Sequence, residues 1–446
     1  MVIPFFTPTR FVRRTQRGFK KLIFLCLFIG WQISFAQAES TNNTLTLNTA
    51  LKRAIEQNPS LKVFEFRNTA LNGQMEIADL KPVYELGFEA ENFSGSDELS
   101  GVDSAEFTVS LSSVLEMGDK RAARRGTVSS SRSVLDAQRQ VESLELLGEV
   151  TRRYVDVLAL QEQVSLAKEA NDLADETLNI VKKRSEAGAT PDAEVNRAQA
   201  AAALAQLTLL STQQQLDYLK VALAALWGDS SPNFASVEGD LYHFGTDVEF
   251  TALFAKMEKN PAIQIFAAEE RLKDAEVRVA KTQSKSDISW SVGVRRFQES
   301  DDSALVAGFS MPLFSSKRNS GAVSTALAQR NEITVQKEVA LLSMHTQLFR
   351  AFHNRRQAIL AAKALQSTII PALSDALKET QTAYQRGRYG YLEYVSARQE
   401  LLNARRTLIE SASSALTYGA EIEQLTAEPL SAAQYGESTE FSGSVR

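Results

Sequence analysis

The stretch VTRRYVDVLALQEQVSLAKEANDLADETLNIV, residues 150–181, decides the fold. Its side chains recur every seven residues in two registers, namely Val150, Val157, Val164, Asn171 and Leu178, and Leu160, Ala167, Ala174 and Val181. No proline occurs between Lys120 and Glu186. The pattern predicts one continuous helix that packs along its length against other helices, and at about 1.5 Å per residue this helix would be on the order of 100 Å long.

The heptad spacing continues elsewhere in the chain, at Leu209, Leu216 and Leu223, and again at Leu401, Leu408 and Ile422. A second apolar stripe lies beside the latter, at Val395, Leu402, Ile409 and Leu416. A helix with two apolar stripes has neighbours on two sides, as in a closed ring of helices. An antiparallel coiled-coil rod or bundle explains the heptads equally well, so the sequence leaves both arrangements open.

An internal repeat of about 200 residues organises the chain. Its anchors are Asn58-Pro59 with Asn260-Pro261, 202 residues apart, and Gly188/Glu194 with Gly387/Glu393, 199 residues apart. Between the anchors both halves read as a helix (47–80 and 251–282), a strand hairpin, a very long helix, a tight turn and a long helix. The sequence therefore predicts a duplicated unit, with a first repeat at 39–228, a linker at 229–250 and a second repeat at 251–430.

Each repeat contains a segment in which apolar and polar residues alternate, as in strands with two different faces. Over residues 82–115, Leu86 and Phe88 alternate with Glu85, Gly87 and Glu89, and the segment 286–314 repeats the design. Strands of about 10 residues suit a membrane-spanning barrel, with apolar side chains toward lipid and polar ones toward the lumen. A soluble antiparallel sheet alternates in the same way, so the pattern fits both.

The number of strands bears on the oligomeric state. Two hairpins supply four strands, whereas a closed barrel needs about eight or more. A bilayer leaves no unpaired strand edge, so other chains would have to complete the barrel. The expected fold is mainly α with a small β part, in which three copies form an α-helical barrel and share a 12-stranded transmembrane β-barrel.

The two ends of the chain have compositions of their own. Residues 1–38 read as a signal peptide, with six basic residues before an apolar run and Ala36-Gln37-Ala38 as a cleavage pattern. The only cysteine, Cys26, lies in that run, and the tail 431–446 is expected to be disordered. Removal of the signal takes six of 49 basic and none of 54 acidic residues, which leaves a net charge of −11 and disfavours nucleic acid as a partner.

The chain lacks the sequence marks of an enzyme. Its three histidines form no HExxH motif, and no P-loop is present, so we expect no catalytic residues, no metal site and no cofactor. Conduction through such a chain would be passive and powered elsewhere. The glycines Gly188 and Gly387 are suited to left-handed helix caps, which places both tight turns at the end opposite the hairpins.

The duplicated arrangement of helices and strands resembles the TolC family of outer-membrane efflux proteins, over about residues 45–425. Four motifs resemble its cobalt, zinc and cadmium resistance branch: Leu111-Ser-Ser-Val-Leu-Glu-Met-Gly118-Asp-Lys120-Arg121, Ala224-Ala-Leu-Trp227-Gly228-Asp229, Val237-Glu-Gly-Asp240-Leu241 and Glu421-Ile-Glu-Gln-Leu-Thr426. The resemblance implies a homotrimer in outer-membrane lipid that extends into the periplasm. Its partners would be a periplasmic adaptor and a proton-driven inner-membrane pump.

The resemblance also implies functional positions at the turns. The pore or gate candidates are Tyr384, Arg388, Tyr389, Glu393 and Glu194, and the adaptor-docking candidates are Gly188, Pro191, Gly387 and Gly390. The family's second acidic position is Ser396 here, and its gating arginine is replaced by Tyr389. The expected function is passive export of heavy-metal cations. A drug or polypeptide export duct of the same fold, or a periplasmic structural or adaptor coiled coil, is the alternative.

Overall fold

The structure is a computed structural model that describes residues 44–99, 101–245, 248–313, 317 and 319–429. The predicted signal peptide at 1–38 and the predicted tail at 431–446 lie outside the described residues. The described chain is mainly helical, with one four-stranded sheet and one short two-stranded pairing.

The first half comprises β1 (Thr44–Leu45), α1 (Leu47–Gln57), α2 (Pro59–Asp79), β2 (Glu85–Glu91), β3 (Glu106–Leu115), α3 (Lys120–Glu186) and α4 (Asp192–Ala224). The second half comprises β4 (Ser236–Val237), α5 (Phe250–Met257), α6 (Pro261–Gln283), β5 (Ile288–Phe297), β6 (Ser303–Ser310), α7 (Ser320–Ala364), α8 (Ile370–Gln385) and α9 (Tyr391–Thr426). Helix α3 is 67 residues long, which confirms the long helix predicted from the heptads.

The predicted single helices at 47–80 and 251–282 are wrong, because each is divided in two at its Asn-Pro pair. Proline has no backbone N–H and clashes with the preceding turn, so it begins a helix more readily than it continues one. The Oδ1 atom of Asn58 accepts the backbone N–H of Ser60 at 2.7 Å, and that of Asn260 accepts the N–H of Ala262 at 2.8 Å. Each asparagine therefore caps a new helix.

The same two asparagines also fasten each new helix to the end of a distant one. The Nδ2 atom of Asn58 donates to the carbonyl of Leu226 at 2.7 Å, just beyond α4. The Nδ2 atom of Asn260 donates to the carbonyls of Gln424 at 2.8 Å and Leu425 at 2.9 Å, at the end of α9. One side chain thus satisfies backbone groups at the start of one helix and at the end of another, which fixes their angle.

The four strands form one antiparallel sheet in the order β2-β3-β5-β6, which confirms strands in the alternating segments. Phe88, Val109, Val294 and Leu305 lie in register across all four strands. Their side chains are 49–83% exposed, so the part of the chain that the structure describes leaves the apolar face of the sheet uncovered. The opposite face carries Glu85, Glu89 and Glu91 on β2 and hydroxyl side chains on β3.

The helices pack around α3, which contacts α2, α4, α6 and α9, while α9 also contacts α7 and α8. The largest apolar core lies where α3 meets α1 and the β1–β4 pairing. There the hydroxyl of the buried Tyr154 donates to the carbonyl of Leu45 at 2.7 Å and accepts the N–H of Glu238 at 3.1 Å. Among the described residues, no helix is both long and apolar enough to span a membrane.

The second-half counterpart of α3 contains a π-helical turn. A π-helical turn at Leu365–Ile369 separates α7 from α8, and Pro371 follows it in the first turn of α8. Proline removes a helical hydrogen bond and crowds the carbonyl four residues before it, and a wider turn accommodates both effects. The very long helix predicted for the second half is therefore present over residues 320–385, with one π-helical turn inside it.

We expect Asn260→Ala to lower the free energy of unfolding by about 2–4 kcal/mol, because it removes a helix cap and leaves two buried carbonyls without a donor. Asn260→Ser keeps a capping oxygen but cannot reach both carbonyls, so its loss should be intermediate. Asn403→Ala, on the exposed side of α9, is the control and should change stability by less than about 0.5 kcal/mol. Denaturant unfolding in detergent, followed by circular dichroism, measures all three.

Candidate functional site at the helix turns

The two tight turns have the same backbone geometry. Gly188 and Gly387 both have a φ of 72°, in the left-handed region that favours glycine. Each glycine N–H bonds back to a carbonyl in the preceding turn, at 2.8 Å to Ser185 and 2.9 Å to Tyr384. The predicted glycine caps are confirmed. Pro191 is the residue that precedes the first turn of α4, with its φ at −68°.

A buried aromatic cluster connects the ends of the long helices behind these turns. Tyr384 on α8 is 2% exposed, and its ring stacks on Tyr394 of α9 with centroids 5.5 Å apart and planes 4° from parallel. Tyr391, Val181 of α3 and Ala198 of α4 complete the cluster. The Tyr384 hydroxyl makes no hydrogen bond within the described part of the chain, so packing rather than polar bonding holds the ring.

Arg184, at the end of α3, clamps the Tyr384 side of this cluster. Its guanidinium carbon lies 4.6 Å from the centroid of the Tyr384 ring, within the range of a cation–π contact. Its Nη1 atom also donates to the Tyr384 carbonyl at 2.7 Å. The arginine therefore ties the first half of the chain to the second through two contacts at one residue.

Arg398 provides a second tie on α9. Although charged, it is 6% exposed, and its Nη1 atom donates to Thr177 Oγ1 at 2.9 Å and to the Leu173 carbonyl at 3.2 Å. Neither arginine is among the site residues predicted from the sequence. Arg398 could have been found, because it stands seven residues after Tyr391 and three before Leu401, within an apolar heptad stripe.

Glu194 is the predicted acidic residue that the fold brings to the cluster. It is half-buried, and its carboxylate accepts the hydroxyl of Thr190 at 2.8 Å. Burial raises the pKa of Tyr384 above its usual value, partly offset by Arg184, and the negative charge of Glu194 adds to the increase. Burial also raises the pKa of Tyr391, and Glu194 again contributes. Both phenols therefore stay neutral across the physiological pH range.

The other predicted residues lie on the surface of the turns. Arg388, Tyr389 and Glu393 are exposed and are not members of the buried cluster around Tyr384. The Glu393 carboxylate folds back over Gly390, where an added Cβ would lie 2.8 Å from its Oε2 atom. Arg388 instead lines a cavity of about 460 Å³ together with Asp375, Lys378, Glu379, Thr382, Ala383 and Arg386.

Metal binding has little support within the described chain. No group of three or more histidine, cysteine, aspartate or glutamate residues there could hold a metal ion. Two of the histidines pack against aromatic rings instead, His345 at 5.2 Å from Phe254 and His353 at 4.3 Å from Phe349, measured between centroids.

A sequence model described as outer membrane efflux protein matches residues 50–229 and 256–428. The chain belongs to the outer membrane efflux protein family. It is 26% identical over 361 residues to the cobalt-zinc-cadmium resistance protein CzcC of Cupriavidus metallidurans, a match that covers 81% of this chain and 85% of CzcC. It is also 26% identical over 359 residues to the pyoverdine export outer membrane protein OpmQ of Pseudomonas putida, covering 74% of each.

The fold agrees with this membership. The CmeC outer membrane channel of Campylobacter jejuni superposes with a TM-score of 0.69 at 15% identity, over 85% of each chain. As an outer membrane efflux protein, the chain is a transport component of the outer membrane that extends into the periplasm, and not an enzyme. This confirms the predicted location and the predicted class of function.

We expect Arg184→Gln to raise the conductance of this efflux protein in planar bilayers. The change removes a charged hydrogen bond and a cation–π contact that together hold α8 to α3 by about 2–4 kcal/mol. The control is Arg405→Gln, which breaks an exposed ion pair (2.6 Å) between α9 and Glu169 of α3, away from the turns, and should leave conductance unchanged. Equal conductance of Arg184→Gln and the unaltered protein would show that this clamp does not restrict the pore.

Proposed function

We propose that this outer membrane efflux protein is the channel of a tripartite system and passively conducts heavy-metal cations from the periplasm to the exterior. The channel is a homotrimer in which each copy gives four strands to a 12-stranded barrel and its helices to a periplasmic tube. The observation that carries this proposal is the sheet, which, among the described residues, has one exposed apolar face and two unpaired edges.

The sheet supports membrane insertion in two ways. Its apolar face includes Leu86, Phe88, Leu305 and Phe309, which are 71–86% exposed and would cost free energy in water. The edge strands β2 and β6 each pair on one side only, among the described residues. Hydrocarbon requires every backbone N–H and C=O group to be bonded, so insertion requires β6 of one copy to pair with β2 of the next.

Exposed apolar stripes on two helices support the same assembly below the sheet. They comprise Leu204, Leu207, Leu210, Tyr218 and Val221 on α4, and Val335, Val339, Leu342 and Phe349 on α7. Their spacings of three, four, seven and eight residues place them along one side of each helix, as in helices that pack along their length. A neighbouring copy would cover both stripes and close the ring of helices.

The order of elements supports a duplication. Each half has two short helices divided at Asn-Pro, a strand hairpin, a long helical segment, a glycine-capped turn and a final long helix. We therefore retain a first repeat at 39–228 with its hairpin at 82–115, a linker at 229–250, and a second repeat at 251–430 with its hairpin at 286–314. Duplication explains why both hairpins lie at one end and both turns at the other.

Charge favours cations as the cargo. The polar face of β2 carries Glu85, Glu89 and Glu91, and the turns carry Glu194 and Glu393. Three copies of each carboxylate around one axis would focus a negative potential in a narrow, water-filled passage. CzcC, named for cobalt, zinc and cadmium resistance, is a relative over most of the chain, which supports heavy-metal cations in particular.

The proposed gate and the proposed binding surface for the adaptor both lie at the turns. Tyr384, Arg388, Tyr389, Glu393 and Glu194 are the gate candidates, with Arg184 added from the structure. The exposed turns at Gly188, Pro191, Gly387 and Gly390 offer a docking surface for a periplasmic adaptor, and a proton-driven inner-membrane pump would supply the energy.

Export of an organic molecule is the second candidate, because OpmQ, named for pyoverdine export, is as similar in identity as CzcC. A deletion strain separates the two, since cobalt, zinc or cadmium sensitivity indicates metal export, whereas sensitivity to organic compounds alone indicates the alternative.

We expect the detergent-solubilised protein to have a mass three times that of one chain, because only pairing between copies satisfies the edges of β2 and β6. Light scattering coupled to size-exclusion chromatography measures the protein mass of the complex. A water-soluble monomer would contradict both the barrel and the helical tube.

We expect Glu393→Lys to lower the cation selectivity of the reconstituted channel, since it replaces three negative charges with three positive ones at the turns. Reversal potentials in a salt gradient measure the selectivity. Glu410→Lys makes the same charge change farther along α9, on an exposed position, and should shift the reversal potential much less. Unchanged selectivity in Glu393→Lys would remove this residue from the conduction path.

A further inference from the structure

The two ends of the sheet carry opposite charge. The hairpin loops at 92–105 and 298–302 contain six acidic residues and no basic one. At the other end, where the strands meet the helices, the segments 79–83, 116–125, 284–287 and 311–319 contain eight basic and four acidic residues. This end is positive although the whole chain is negative, so the charge there needs its own explanation.

Four of these residues form what we name the basic belt, namely Lys81, Arg121, Arg125 and Lys285. Arg121 and Arg125 share one carboxylate, Asp79, at 2.8 and 3.1 Å, so one of their two charges is in excess. Lys81 and Lys285 are exposed, and no ion pair with either occurs in the described part of the chain. The belt therefore presents surplus positive charge to its surroundings.

The belt lies directly beyond the apolar face. The last pair of the β3–β5 ladder is Leu115 with Ile288, and the stem of Lys285 lies over Gly118, where an added Cβ would be 2.2 Å from its Cδ. At the same edge the rings of Tyr84 and Trp290 meet edge to face at 6.3 Å. Tyrosine and tryptophan mark the level at which the hydrocarbon of a bilayer gives way to headgroups.

The length of α3 over which the two arginines of the belt lie is similar to the thickness of a headgroup layer. The arginines at 121 and 125 lie about 2–8 Å beyond the first residue of α3, at about 1.5 Å per residue. Each headgroup layer of a bilayer is about 5–8 Å thick. The belt lies beyond the level of the Tyr84–Trp290 pair, on the side from which the helices leave the sheet.

We propose that the basic belt binds the phosphate groups of anionic phospholipids in the periplasmic leaflet of the outer membrane. This rests on the proposed insertion of the sheet into that membrane. Arginine forks and lysine ammonium groups are the side chains that bind phosphate, and their long stems let the charge reach the headgroups beside an apolar surface. Such binding fixes the depth of the sheet in the bilayer.

The test uses the full-length protein in detergent with added phosphatidylglycerol, and native mass spectrometry counts the lipids bound. We expect the double variant Lys81→Gln/Lys285→Gln to bind phosphatidylglycerol about tenfold more weakly than the unaltered protein. Addition of Arg125→Gln should weaken binding further. Lys168→Gln/Lys337→Gln makes the same charge change on exposed helix positions about 25 Å or more from the helix starts, and should bind as the unaltered protein does.

Each other outcome overturns the proposal. Equal binding by the belt and control variants shows that the belt does not hold lipid. Loss of the trimer with unchanged lipid binding shows that the belt pairs with a neighbouring copy instead. Flotation with phosphatidylcholine vesicles separates this proposal from the proposed channel function. If the unaltered protein does not enter bilayers, both proposals are wrong. If it enters normally and the belt variants bind phosphatidylglycerol as before, only the lipid-binding proposal is wrong.

Discussion

The ladder between β3 and β5 is the contact on which the rest of the molecule depends. Its ten residue pairs join two hairpins that are about 180 residues apart in the chain, from Glu106–Phe297 to Leu115–Ile288. At Gly293 the strands approach so closely that a Cβ would lie 2.5 Å from the Val109 carbonyl. Because α3 begins five residues after β3, this ladder also sets where the longest helix starts and which helices lie beside it.

Contacts between the two halves continue along the helices to the far end. Arg398 and Arg184 tie the α8–α9 pair of the second half to α3 of the first, and Asn260 ties the start of α6 to the end of α9 within the second half. The arginine contacts are charged hydrogen bonds in a largely buried setting, where such bonds are strongest. These few polar ties fix the angles between helices that apolar stripes alone would leave free to slide.

The charges follow the same long axis. Acidic residues occupy the hairpin loops and the polar face of β2, whereas a surplus of basic residues lies where strands become helices. In the proposed channel, the acidic residues attract cations to the lumen, and the basic belt binds the phosphate groups of lipids around the barrel. One chain can do both because the two faces of a strand point in opposite directions, so residues next to each other in sequence meet different surroundings.

The sequence by itself determined what depends on neighbours in the chain. Heptads predicted α3 from Lys120 to Glu186, alternation predicted the strands and their faces, and Gly188 and Gly387 predicted left-handed caps, since each follows from local geometry. The division of the first helix at Asn58 also follows from a local signal, the Asn-Pro pair, which the prediction of a single helix did not use. Only the tertiary structure decided the pairing of β3 with β5, the burial of Arg398 and the contact of Arg184 with Tyr384. These join residues about 180–225 positions apart, and no local period encodes which of many chemically similar partners a side chain will meet.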